Sequence, residues 1–273
     1  MIQAKIEPGE KKILERLLKG EKVSCSQIQP FQKLLDSRGF VTSSENDMAF
    51  LKEVKDQAFP YLVQFFPLKS DFIREVVSFL EIESTNDFLR ENRSRFFSTS
   101  AVFTESQTRG KGKSERSWFM KKGKSLIFSL LLKVSLKERE HAGLLTLATS
   151  VAVAGAAADA SGVLCQCKWP NDVLINDKKI CGVLTESAQA KNDFYHIIIG
   201  IGINVNYGKE DFPVALRGKA TSLMIESGKF IHRYGLFQSF STRFSFLYKK
   251  FLSGDFSAIT EKWNEMAAVR NVM

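Results

Sequence analysis

Residues 10–19 set Ile13, Leu14, Leu17 and Leu18 on one face at helical spacing, with Gly20 placed as a stop. Residues 30–37 predict a second, shorter helix, opened by Pro30 and closed before Gly39. Residues 40–54 read two ways: a hairpin turning at Ser44-Glu45-Asn46-Asp47, or a helix capped near Ser44. From residue 76 the apolar period shortens. Residues 76–82 predict a strand, and Ser84-Thr85-Asn86 opens a helix through Phe88 and Leu89. Further strands are expected over 101–103, 126–134, 164–169 and 194–206. Residues 142–158 carry no charge and are rich in Ala, Gly, Ser and Thr; slightly short for a membrane span, they predict a buried helix. The tail, 237–263, reads as largely helical. The simplest architecture is α+β: a mixed β-sheet with helices packed on one side, behind a small N-terminal unit over 1–72.

The most informative stretch runs from Lys168-Trp169-Pro170-Asn171-Asp172 to Leu184. It predicts a strand, a tight corner, a β-branched strand, a second polar turn and another apolar strand. Turn chemistry alone explains the Pro, Asn and Asp, and Lys178 and Lys179 have a solvated reading. The same layout also presents charges beside apolar surface, as a small-molecule site requires. A second segment, Thr108 to Ser117, combines Gly110 and Gly112 with Arg109, Lys111, Lys113 and Arg116 against a single acid, Glu115. Glycines let backbone N–H groups approach phosphate oxygens that basic side chains neutralise. A solvated basic loop or a single-strand nucleic-acid binder would share that composition.

Composition narrows the classes. Hydrophobic residues at 44% and charged residues at 25% fit a globular chain with a sizeable core. The formal charge of +9 favours anionic partners. Cys25, Cys165, Cys167 and Cys181 lack metal or disulfide spacing, and Cys165 and Cys167 share a strand face, which favours packing. No zinc motif, P-loop or Ser-His-Asp pattern is present. Residues 1–12 are mostly polar, without a signal-peptide pattern, so a cytoplasmic location without membrane attachment is expected.

Lys168 to Asp172, followed by Lys179 and Gly182, resembles the signature of biotin–protein ligases. Glu83-Ser84-Thr85-Asn86, Gln107 to Lys113 with Arg116 and Trp118, and Gly200-Ile201-Gly202-Ile203-Asn204-Val205-Asn206 resemble three further family segments in the same order. The resemblance covers residues 76–273. It implies the class II aminoacyl-tRNA synthetase-like fold of the ligase catalytic domain over 73–273. It implies ATP-dependent, AMP-forming attachment of biotin, through biotinyl-5′-AMP, to a lysine of a biotin carboxyl carrier protein domain. ATP and biotin are then substrates and Mg²⁺ the cofactor.

By resemblance, Ser84, Thr85, Asn86, Gln107, Lys111, Gly112, Lys113, Lys179, Gly182 and Gly202 bind biotin. Gly110, Lys111, Lys113, Arg116, Trp118, Lys168, Asn171, Asp172 and Asn204 bind ATP. Lys179, Lys113 and Asp172 are the catalytic candidates, with Asp172 also the Mg²⁺ candidate. Gly182 and Gly202 would admit ligand to the backbone. Ser84 to Asn86 equally suit simple helix capping, and Trp118 simple packing.

Lys111 and Lys113 stand where the family has arginines, and Glu115 where it has a small residue. Lysine keeps charge but loses the two-pronged donor, so weaker retention of the adenylate is expected. The family's C-terminal β-barrel has no counterpart before Met273. In repressing relatives the first region is a winged helix-turn-helix; residues 21–39 look short for a positioning and a recognition helix, so a degenerate winged helix without DNA binding is expected. A homodimer is compatible with the family. A lipoate ligase-like acyltransferase and a biotin-responsive DNA-binding repressor are the alternatives.

Overall fold

The structure is a computed structural model that describes residues 1–65, 72–96, 99–113, 116–189 and 194–268. The chain opens with a two-residue strand, β1 (Ile2–Gln3), and then the helix α1 (Pro8–Leu18), which Gly20 ends at φ +81°. Next come β2 (Val23–Ser24), α2 (Cys25–Ile28) and α3 (Gln32–Ser37), the last two joined by a 3-10 turn around Pro30. Residues 40–54 form a hairpin, β3 (Phe40–Glu45) and β4 (Met48–Val54). Asn46 and Asp47 both take left-handed conformations, which short polar side chains tolerate and a two-residue hairpin turn demands. With β2 these strands form a three-stranded sheet ordered β2-β4-β3. Helix, strand, two short helices and hairpin follow one another in the order expected of a degenerate winged helix, and α3 has only six residues.

The helix α4 (Phe59–Phe65) lies between two cores. Phe59 and Val63 enter the main core, while Leu62 joins Leu14, Leu17, Leu35 and Phe40 in the small one. Strand β1 also belongs to the large sheet rather than to the unit expected over 1–72, because it pairs with β5 (Glu75–Glu81).

The remaining elements are α5 (Thr85–Asn92), β6 (Ser100–Thr104), β7 (Ser125–Ser135), α6 (Leu136–Arg139), α7 (Gly143–Ser161), β8 (Gln166–Lys168), β9 (Asp172–Ile175), β10 (Lys178–Gln189), β11 (Phe194–Asn204), α8 (Leu223–Ser227), α9 (Arg233–Leu252) and α10 (Ser257–Met266). The large sheet runs β1-β5-β6-β7-β11-β10-β9-β8; it is mixed, with β5 and β6 parallel and the other pairs antiparallel. The expected strand over 164–169 shrinks to three residues, and the helical tail breaks at Gly254, φ +77°.

Helices α7, α9 and α10 cover one face. The uncharged stretch 142–158 is accordingly a core helix, with Leu145, Ala148, Ala152 and Ala156 buried. Helices are not confined to one side of the sheet, which corrects the expectation drawn from the pattern. Helix α5 packs Leu89 on the other face, against Val102, Leu131 and Ile198. Its N-terminus is fixed by Ser84, whose hydroxyl accepts from the Asp87 backbone N–H.

One polar cluster ties the two units together. Arg233 is 1% exposed and donates to Asp56, just after β4, and to Glu105, just after β6, at 2.8 Å. Burial alone would depress the guanidinium, but Glu105 and Asp56 more than offset it and hold it charged. Arg233 also donates to the Ser125 carbonyl, and Glu105 accepts from the Gly123 N–H, so the cluster reaches the segment leading into β7.

Candidate active site

Alternation along two adjacent strands hollows out a site on the α5 face. In β11, Ile197, Ile199, Ile201 and Ile203 point into the main core, and on the opposite face follow Ile198, Gly200, Gly202 and Asn204. In β7 the core-facing series is Leu126, Phe128, Leu130, Leu132 and Val134, and Ser125 and Ser129 lie on the other face. Register aligns the small residues: Ser129 opposes Gly200, and Gly202 opposes Gly182 of β10. A row of glycines and serines therefore leaves a depression in an otherwise packed sheet.

Its cavity, of about 310 Å³, is lined by fifteen of the seventeen candidate residues. Ser84, Thr85 and Asn86 enter from the α5 N-terminus, and Gln107, Lys111, Gly112, Lys113, Arg116 and Trp118 from the loop. Asn171, Asp172, Lys179, Gly182, Gly202 and Asn204 come from the sheet. Gly110 and Lys168 do not line it. The Gly110 carbonyl closes the loop by accepting from the Trp118 N–H at 2.9 Å, and Lys168 is exposed on the outermost strand, β8. Glu115 lies outside the described residues.

The loop folds back on itself as a small hairpin, with Lys111 bridged to Ser117 and Gly112 N–H donating to Arg116 O at 2.6 Å. That turn aims the Trp118 indole across the glycine pair. A Cβ at Gly202 would stand 2.5 Å from Trp118 Cε2, and one at Gly182 would stand 2.9 Å from Cζ3. The two glycines thus make room for an aromatic ring beside the cavity that they line. Trp118 Nε1 is buried and has no acceptor among the described residues, so it can donate to a bound group.

Lys179 sits at the start of β10. Its Nζ is 2.6 Å from Asp172 Oδ1 and 5.4 Å from the Trp118 ring centroid. Its backbone is pinned on both sides, donating to Lys219 O and accepting from Thr221 N, each at 2.9 Å. Asn204 donates to Thr221 O at 3.0 Å and approaches Lys179 O at 3.5 Å, so its amide holds this strand pairing as well as lining the cavity. Asn171 clasps the corner: its side chain donates to Val183 O at 2.7 Å, and its carbonyl accepts from Val183 N at 2.9 Å. The Trp169–Pro170 peptide within that corner is cis.

At the α5 end, Gln107 Oε1 accepts from the Thr85 backbone N–H at 2.8 Å and from its hydroxyl at 3.0 Å. Ser129 Oγ is 2.6 Å from Asn86 Oδ1 and 2.7 Å from Thr85 Oγ1, and its single proton can serve only one of them. Lys111 pairs with Asp87 at 2.7 Å. Partial burial pushes the Asp87 carboxyl up, but Lys111 and Arg90 together hold it below the usual range.

Sequence reasoning missed the apolar wall made by Phe119, Phe212 and Leu216, which carries no motif. It also missed Ser129 and Gly200, although the alternation of small and large residues over 199–204 was a readable signal for the second. Cys165 and Cys167, expected to pack, are buried, and burial pushes both thiols up to about 12.

A profile of the Biotin/lipoate A/B protein ligase family matches residues 78–204. The chain is 37% identical over 166 residues to the bifunctional ligase/repressor BirA of Bacillus subtilis (strain 168), covering 61% of this chain and 51% of that protein. It is 32% identical over 113 residues to the biotin–[acetyl-CoA-carboxylase] ligase of Mycobacterium tuberculosis, covering 40% and 41%. Among solved structures, biotin protein ligase from Aquifex aeolicus in complex with biotin and ATP aligns with a TM-score of 0.63 at 30% identity, covering 71% of this chain and 79% of that one. The chain spans about half the length of the BirA proteins it matches.

Proposed function

The chain belongs to the biotin protein ligase family, and from that premise we propose that it attaches biotin to a lysine of a biotin carboxyl carrier protein domain at the expense of ATP. The observation that carries this reading is Lys179, which lines one cavity together with the polar α5 end and the basic loop. A biotin carboxylate oxygen attacks the α-phosphorus, the bond to pyrophosphate breaks, and biotinyl-5′-AMP forms. The acceptor amine then attacks the anhydride carbonyl, AMP leaves, and the amine loses a proton.

Each residue has a task in that sequence. Lys179 balances the two anions that meet in the first step, and bridging them lowers the charge cost most when charge shifts to the leaving group. Ser84, Thr85, Asn86 and Gln107 offer donors and acceptors to a cyclic urea. Lys111, Lys113 and Arg116 lie over phosphates, and the buried Trp118 N–H donates to the nucleotide side. Closure of the loop excludes water from the anhydride.

Magnesium would neutralise phosphate charge here, held by Asp172. Among the described residues no group of three or more His, Cys, Asp or Glu forms a metal cage. A lone carboxylate suits an ion whose other ligands are phosphates and water. We place the reaction in the cytoplasm, a reducing compartment that accords with four free cysteines.

A DNA-binding role for the N-terminal unit is disfavoured by charge. Residues 1–65 carry ten Lys and Arg against nine Asp and Glu, and the other residues carry 29 against 21. The wing turn adds Glu45 and Asp47, and Arg38 at the end of α3 is engaged by buried Glu10. A phosphate-binding surface needs a clear basic excess, which this near-neutral unit lacks.

The test is biotin-dependent ATP–pyrophosphate exchange with magnesium, run beside lipoate and beside Lys179→Ala. Exchange with biotin alone, reduced by about a thousandfold in the variant, is the expected result for loss of a principal charge on the reacting phosphate. Exchange with lipoate instead would move the chain to the acyltransferase branch. Salt-sensitive, sequence-specific retention of a duplex would restore the repressor reading.

A further inference from the structure

Outside the motifs, Glu186 on β10 joins two parts of the site. One carboxylate oxygen accepts from Asn86 Nδ2 at 2.7 Å, and the other accepts from Arg90 Nη2 at 2.5 Å. Arg90 Nη1 continues to Asp87 Oδ1 at 2.5 Å, and Asp87 in turn holds Lys111 of the basic loop at 2.7 Å. On its other side Asn86 receives Ser129 Oγ at Oδ1. A continuous chain of polar contacts therefore runs from the pocket floor to the loop, and Glu186 is its hinge.

An ionised carboxylate only accepts hydrogen bonds, so Glu186 dictates which way the Asn86 amide faces. The NH₂ must turn toward Glu186, which leaves the carbonyl against Gly200 on the cavity side. Ser129 fills one lone pair of that carbonyl at most. The second is an acceptor fitted to a ring N–H of a cyclic urea. With the amide reversed, a donor would face a donor.

We propose that Glu186 is a positioning residue, which orients Asn86 to accept from the ureido ring of biotin and anchors Lys111 through Arg90 and Asp87. The ligand half of this inference rests on the biotin ligase reading; the loop half does not. Glu186 is not a catalytic residue, since it acts through Asn86 and Arg90.

The experiment titrates biotin in the exchange assay for wild type, Glu186→Gln, Asn86→Asp and the double variant. It adds limited trypsin digestion of the ligand-free proteins, after circular dichroism establishes that each is folded. Losing a charge-assisted hydrogen bond corresponds to about tenfold or more in affinity. Each single variant is therefore expected to raise KM for biotin by about that factor, with kcat changed by less than about threefold. The double variant re-forms the contact with donor and acceptor exchanged: the new amide donates to the new carboxylate at 86, and its oxygen still accepts from Arg90. Its KM returns to within about threefold of wild type, a rescue expected of a reversed but intact hydrogen bond. Additive losses in the double variant would overturn the proposal, because a residue acting only through fold stability gives no rescue. If wild type shows no biotin-dependent exchange, the ligase reading fails and the ureido half falls with it. The digestion then decides the loop half: faster cleavage after Lys111 in Glu186→Gln supports it, and equal cleavage overturns it.

Discussion

The two faces of the central sheet are built from the same strands, yet they follow opposite rules. On the helix-covered face, β11 presents Ile197, Ile199, Ile201 and Ile203, all buried against α7 and α9 neighbours such as Ala152 and Phe240. On the other face the alternate positions shrink to Gly200, Gly202 and Asn204, and β7 contributes Ser125 and Ser129. One residue of phase separates a core from a binding site. From residue 199 onward the odd positions of β11 thus serve the core and the even ones, Gly200, Gly202 and Asn204, line the candidate site, and substitutions in neighbouring residues are expected to fail in different assays.

Ile201→Ala is expected to have the largest effect. It removes a buried branched side chain and leaves a void in the main core, a cost of about 3 kcal/mol. Chemical denaturation reads this loss, and the KM for biotin of the folded fraction should stay near wild type. A large KM change in this variant would break the separation of faces. The adjacent Gly202→Ala is expected to do the reverse. Its methyl group meets Trp118, at 2.5 Å from Cε2 as the loop now lies, so the loop must shift. Biotin-dependent exchange should fall by about tenfold, equivalent to about 1.4 kcal/mol, with a smaller change in denaturation midpoint than Ile201→Ala gives. Lys113→Arg sharpens the comparison at the smallest scale. Restoring a two-pronged donor over the hollow face is expected to slow adenylate release by about threefold, within the range of a few tenths to one kcal/mol for an exposed charged contact. Release as fast as wild type would show that the lysine is an adequate substitute.

The sequence made regular elements visible where a single period persisted. The uncharged run that became α7, the nearly continuous apolar run that became β7 and the alternation late in β11 are cases where burial leaves few choices of side chain. Residues 40–54 stayed ambiguous because the hairpin pairing shifts where β4 carries an extra residue, Lys52, opposite Val41 and Thr42, which breaks the two-residue period of β4. Strand β2 has two residues, too few for any period. In the site, motif residues were legible because backbone turns and phosphate chemistry restrict them. Arg233, Asp56 and Glu105 were not. Three charges scattered over 177 positions look like surface residues until the fold removes them from water. The Trp118 ring over Gly182 and Gly202 was similarly hidden, since the sequence shows that the glycines leave space but not what fills it.

Arg233 also bears on how such a chain can change over generations. Its guanidinium is buried and depends on two carboxylates, one of which, Asp56, is supplied by the N-terminal unit. A deletion of that unit would leave a buried cation short of a partner, the kind of loss that typically costs about 3–5 kcal/mol. Loss of the N-terminal unit is therefore not a neutral step for this fold. Through Asp56 the unit fastens the larger one, so the two can change only together.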